Sequence, residues 1–125
     1  MWIRTDNKCW NSDNFDNIYV ELETVVFEKH LPVSVDNETV TFNQMIDMED
    51  YYDVFHNVLP EYEYKYQRWM SKVAWKLFNA ITDWIADGTM KKCFITESFV
   101  ETLLRQCMNE EEKEYNEYSK DKSNS

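Results

Sequence analysis

The chain has 125 residues, one glycine, three cysteines and a formal net charge of −11 at pH 7. A single glycine excludes a Walker-type phosphate loop and a dinucleotide fingerprint, which need several glycines so that backbone N–H groups can reach phosphate oxygens. The charge disfavours unassisted contact with a nucleic-acid backbone and suits a basic partner.

The length fits one domain. Cys9, Cys93 and Cys107 are too scattered for a disulfide framework and read as a reducing, cytoplasmic setting. Neither a signal peptide at the start nor an apolar run of transmembrane length is legible, so no membrane partner is expected.

Residues 2–5 alternate like a short strand, Asp6-Asn7 suits a turn, and residues 8–10 suit the returning strand. Residues 11–17 are rich in Asn, Asp and Ser and read as a loop. Ile18, Val20 and Leu22 alternate with polar residues, the period of a half-buried strand, until Val25-Val26-Phe27 breaks the pattern. Residues 33–35 and 39–42, around Asp36-Asn37, form a candidate hairpin, with Pro32 suited to an edge.

From Asn43 the period changes. Met45, Met48, Tyr52, Phe55 and Leu59 share one helical face, with Thr41 or Asn43 as cap and Pro60 as terminator. A second, long amphipathic helix places Tyr66, Trp69, Met70, Val73, Leu77, Ala80, Ile81 and Trp84 on one face and stops at Gly88. Tyr62, Tyr64 and Tyr66 alternate with Glu61, Glu63 and Lys65, so its start lies between Pro60 and Tyr66. Residues 93–95 suit a short strand. Thr96 or Ser98 then caps a third helix with an apolar face of Phe99, Val100, Leu103, Leu104 and Cys107. Residues 1–108 are therefore expected to form one α+β domain, a small N-terminal antiparallel sheet packed by three helices. Residues 109–125 lack apolar content and read as a frayed helix end and a disordered acidic tail.

Charge is segregated along the chain. Residues 30–64 carry eight acids and no Lys or Arg, whereas residues 65–93 carry six bases against two acids. Lys65, Arg68, Lys72 and Lys76 form a stripe opposite the apolar face of the long helix, and Trp75 lies near Arg68, off that face. Three arrangements follow. The acidic first helix and basic second helix face each other; the acidic segment is an exposed docking face; or acidic and basic patches pair between identical chains as a homodimer. Asp47, Asp50, Tyr51, Asp53, Glu61, Tyr62, Glu63, Tyr64 and Trp75 are the candidate partner-binding residues. The carboxylates would stand in for phosphates, and the aromatic rings would supply contact area.

Chemistry-bearing motifs are sparse. His30 and His56 have no zinc-ligand spacing around them. Asp47, Asp50 and Asp53 could present carboxylates together, but the periodicity of a calcium loop is missing. Glu63-Tyr64-Lys65 has the acid-x-lysine form of metal-dependent nucleases, with Asp50 or Asp53 as the further acid required. Catalysis, a metal and a cofactor are not expected.

Residues 1–5, followed by Phe15-x-x-Ile18-Tyr19-Val20-Glu21, resemble the start of small proteins of low-GC Gram-positive bacteria and their phages. In composition the chain resembles the short, acidic, aromatic-rich inhibitors that phages direct against host nucleic-acid enzymes, anti-CRISPR proteins among them. That resemblance implies an acidic surface that mimics DNA or fills a nucleic-acid channel of a basic host protein. The basic stripe departs from a fully acidic mimic and leaves one face for the role. The alternative expectation is a self-associating structural or adaptor domain with Trp75 and the basic stripe at its interface.

Overall fold

The computed structural model describes residues 1–32 and 38–123. The fold is α+β, and among these residues it comprises two three-stranded sheets and three α-helices. β1 (Trp2–Arg4) and β2 (Cys9–Asn11) form the expected N-terminal hairpin, closed by the Thr5 N–H donating to the Lys8 carbonyl at 2.9 Å. β3 (Asn17–Glu21), β4 (Thr24–Pro32) and β5 (Thr39–Asp47) form an antiparallel meander. β6 (Lys92–Phe94) lies parallel to β1 on the side away from β2, with Ile3 opposite Cys93.

The β3–β4 turn is two residues, Leu22 and Glu23, between the paired Glu21 and Thr24. Leu22 has φ of 55°, the only positive φ outside glycine among the described residues, and its side chain is exposed instead of continuing the buried face of β3. No turn-forming residue marks this site, so the alternation suggested a longer strand. The break at Val25-Val26-Phe27 is the start of β4. Val25 and Phe27 enter the core, while Val26 sits on the opposite face between Tyr19 and Met45.

The expected strand at residues 33–35 and its turn at Asp36-Asn37 lie outside the described residues. The helix expected from Asn43 starts late. β5 runs on to Asp47, a 3-10 turn covers Met48–Tyr51, and α1 is the short Tyr52–Val58. Asp47 caps the turn by accepting the Glu49 N–H at 3.0 Å. Met45 therefore belongs to a strand and is exposed, whereas Met48, Phe55 and Leu59 keep their places in the core. A strand continued by a helical turn matches a helical spacing at some of its positions, which is why the period misled.

A 3-10 turn at Glu63–Lys65 precedes α2 (Tyr66–Asp87), the 22-residue centre of the fold. Tyr66, Trp69, Met70, Val73, Ala74, Leu77 and Ile81 are buried on one side of α2, against the meander and α3 (Glu97–Ser123). Gly88 ends α2 in the left-handed region at φ 74°, with the Gly88 N–H donating to the Trp84 carbonyl. Thr96, not Ser98, caps α3 by accepting the Phe99 N–H at 3.0 Å. Fraying from Asn109 is expected from composition, yet α3 continues to Ser123. Glu110 and Glu111 in this stretch meet the cations of α2, an offset to ordering that composition does not display.

Candidate functional site

The acidic segment spans the end of β5, the turn after it, α1 and the link to α2. Asp50, Asp53, Glu61 and Glu63 are exposed, and Asp47 is half-buried. Among the described residues none of these five carboxylates takes part in an ion pair. The expected arrangement with the acidic first helix neutralised by the second does not occur. The basic stripe turns to α3 instead: Arg68 meets Glu111 at 2.7 Å, Lys72 the same carboxylate at 3.7 Å, and Lys76 meets Glu110 at 2.6 Å. Arg68 and Lys72 also lie over the Trp69 ring, at 5.9 and 5.4 Å from its centroid. Arg68, Lys72 and Lys76 are thus paired with α3, while Asp50, Asp53 and Glu61 are exposed and, among the described residues, outside any ion pair.

Not every expected site residue belongs to this face. Tyr51 is buried, and its hydroxyl donates to the Ile95 carbonyl at 3.2 Å. Burial pushes its pKa up to about 12, with smaller contributions from Asp6, Asp50 and Glu97. Tyr51 is a structural pin, and Tyr52 is the exposed tyrosine of the pair. Its hydroxyl donates to Glu63 at 2.9 Å, which raises its pKa, with burial adding to the effect. The Tyr52 ring stacks on His56 at 5.9 Å and meets the edge of Tyr66 at 5.6 Å. Tyr62 and Tyr64 are both exposed and 6.4 Å apart, with the Lys65 ammonium over both rings at 5.6 and 5.7 Å. The link thus presents Glu61, Tyr62, Glu63, Tyr64 and Lys65 together, beside Tyr52 of α1.

Asp50 lines a small cleft of about 130 Å³ with Asp6, Asn7, Lys8 and Met45. Asp6 from the N-terminal hairpin therefore extends the acidic face, a contribution invisible in the sequence because it comes from a distant segment. Trp75 stands apart. It is half-exposed, sits edge-on to Phe78 at 5.7 Å, and lines a groove between α2 and α3 with Lys72, Lys76, Cys107, Glu110 and Glu111. Along α2 it lies roughly 14 Å beyond Tyr66, and Glu111 lines both its groove and the neighbouring one beside Tyr62 and Lys65.

The fold also gathers Glu23, Asp47 and Glu49, whose carboxylate oxygens lie within 4.8 Å of one another. Asp50 and Asp53, the neighbours expected from spacing, are not in this group. Repulsion from Asp47, then from Glu23, raises the pKa of Glu49. Hard cations such as Mg²⁺ or Ca²⁺ take oxygen ligands of this kind. The acid-x-lysine element is dispersed, since Tyr52 holds Glu63 and Lys65 turns to the tyrosine rings.

No protein family, curated protein or solved structure matches the chain. Its surface chemistry must then be read from its own residues. Burial raises the pKa of Cys93 to about 11 and also raises that of Cys107, so both are thiols, not thiolates, at neutral pH. Among the described residues no helix is long and apolar enough to cross a membrane.

Proposed function

We propose that this chain is a macromolecule-binding inhibitor, encoded by a phage or mobile element, that blocks a basic nucleic-acid-binding host protein such as a CRISPR effector. Its working surface is the acidic, tyrosine-rich face made by Asp50, Tyr52, Asp53, Glu61, Tyr62, Glu63 and Tyr64, with Asp6 and Asp47 at its margin. One observation carries this reading. The cations of α2 are paired with Glu110 and Glu111, and Asp50, Asp53 and Glu61 are exposed without a cationic partner among the described residues.

Carboxylates along an exposed face offer a positive groove the charge it normally meets on phosphates. The tyrosines add contact area with few rotatable bonds, and Glu63 is already oriented by Tyr52. Such binding loses affinity as salt rises, because the attraction is screened. The test is inhibition of purified RNA-guided nucleases and other basic nucleic-acid enzymes, measured from 50 to 500 mM NaCl. The expected result is inhibition that weakens with salt and falls at least tenfold in the triple variant Asp50→Asn, Asp53→Asn, Glu61→Gln. A triple variant as potent as the native chain sinks the reading.

A further inference from the structure

The meander has two edges, and they differ. β3, at one edge, has five residues, is flanked by Asp16 and ends in Glu21. β5, at the other, has nine residues, and from Thr39 to Ile46 it contains no charged residue and no proline. Its register with β4 is unbroken from Thr24–Asp47 to Pro32–Thr39, so no bulge twists the edge away. Edge strands in stable monomers are normally short, charged, bulged or covered, since a bare edge templates further pairing. From Thr39 to Ile46, β5 has none of the first three protections, and among the described residues no strand pairs with its outer side.

The Met48 N–H donates to the Glu23 carbonyl at 3.0 Å, just beyond the Thr24–Asp47 pair. Hydrogen-bonded pairs alternate along an antiparallel ladder. Even-numbered residues of β5 therefore point their backbone groups at β4, and Thr39, Thr41, Asn43 and Met45 direct theirs outward. The side chains add a second feature. The face of the meander that packs on the core continues beyond it as Leu31, opposite Val40, and then Phe42, all exposed. Val40 is 53% and Phe42 48% accessible.

We infer that the outer edge of β5 docks the β5 of a second copy of this chain, antiparallel across a two-fold axis, to join the two meanders into one continuous sheet. Strand symmetry selects this occupant, and charge selects the place of contact. Two molecules of net charge −11 repel over most of their surfaces, and an eight-residue stretch without charge is where they can approach at least cost. An antiparallel pair of identical strands is also self-complementary, as a two-fold contact requires. The arrangement moves self-association away from Trp75 and the basic stripe, and it leaves the acidic link free.

The test is sedimentation of the full chain across a 1–300 μM range, in low and high salt. The expected result is a reversible dimer that strengthens with salt, because screening relieves repulsion between the two acidic bodies. This is the opposite sign to inhibitor binding, so the two proposals fail separately. Thr41→Pro removes an outward N–H and keeps the backbone hydrogen bonds to β4, giving up the Thr41 Oγ1 contact with His30 Nδ1 at 3.3 Å, and Val40→Lys adds an edge charge. Together they are expected to weaken the dimer at least tenfold while the circular dichroism stays native. A native chain that remains monomeric at 300 μM overturns the inference. So does a double variant that dimerises unchanged, or loss of the dimer in Trp75→Ala, which would put the contact in the α2–α3 groove.

Discussion

Two tyrosine hydroxyls hold the acidic segment to the body, and removing each tests how backbone acceptors are satisfied. Tyr51 donates to the Ile95 carbonyl at 3.2 Å and Tyr66 to the Leu59 carbonyl at 2.7 Å, both buried. Bond length alone would rank Tyr66 as the more important. The acceptors reverse that order. The Leu59 carbonyl also accepts the Tyr62 N–H at 3.1 Å and keeps a partner after Tyr66→Phe. Among the described residues the Ile95 carbonyl has no second donor, so Tyr51→Phe strands it. A buried bond is worth about 1 kcal/mol net, and an acceptor left without a partner raises the cost to about 2 kcal/mol. At this chain length each kcal/mol moves the melting temperature by about 4 °C. Tyr66→Phe is expected to lower Tm by about 4 °C and Tyr51→Phe by about 8 °C, read by circular dichroism at pH 7. Urea midpoints should fall in the same order with an unchanged slope. A Tyr66→Phe variant less stable than Tyr51→Phe would refute the reasoning.

Glu110→Gln with Glu111→Gln removes the three ion pairs between α2 and α3. The pairs are partly exposed, so the loss is about 1 kcal/mol in total at low salt and shrinks toward zero in 0.5 M NaCl. Glu49 is raised by Asp47 and Glu23, so its charged form is disfavoured in the fold. That penalty is absent below the ordinary carboxylate range and appears as pH rises through the raised folded value. Glu49→Gln should therefore raise Tm at pH 7 and leave it unchanged near pH 3.5, which paired melts will check. Leu22 holds a left-handed conformation with an exposed side chain. Leu22→Gly relieves strain of about 1–2 kcal/mol against an entropic loss of about half that, for a net gain of up to about 1 kcal/mol in urea melts.

The long helix was legible because its apolar face is continuous from Tyr66 to Ile81 and Gly88 marks its end. The N-terminal hairpin was legible through Asp6-Asn7. What escaped the sequence were features with no local marker. Leu22-Glu23 turns without glycine or asparagine, and β5 passes into a 3-10 turn without a break in apolar spacing. The site divides in the same way. Exposure of Asp50, Asp53, Tyr62 and Tyr64 agrees with the solvent-facing pattern of their segment. Tyr51 and Tyr52 are adjacent and chemically identical, and only the tertiary fold places the first in the core with its hydroxyl on the Ile95 carbonyl. That Arg68, Lys72 and Lys76 choose α3 over α1 is a long-range outcome; the nearer acids in sequence lose to Glu110 and Glu111 because the helices lie side by side.

β6 reaches back to pair with β1, placing Cys93 beside Ile3 across some ninety positions of chain. During synthesis, the first hairpin must wait for the whole of α2 to emerge before its sheet can be completed. The meander draws its partners from neighbouring stretches and has no such delay. Closing so long a loop is costly before its contacts reward it. Chain entropy therefore favours the local pairings of the meander forming ahead of the distant pairing of the first strand with the sixth.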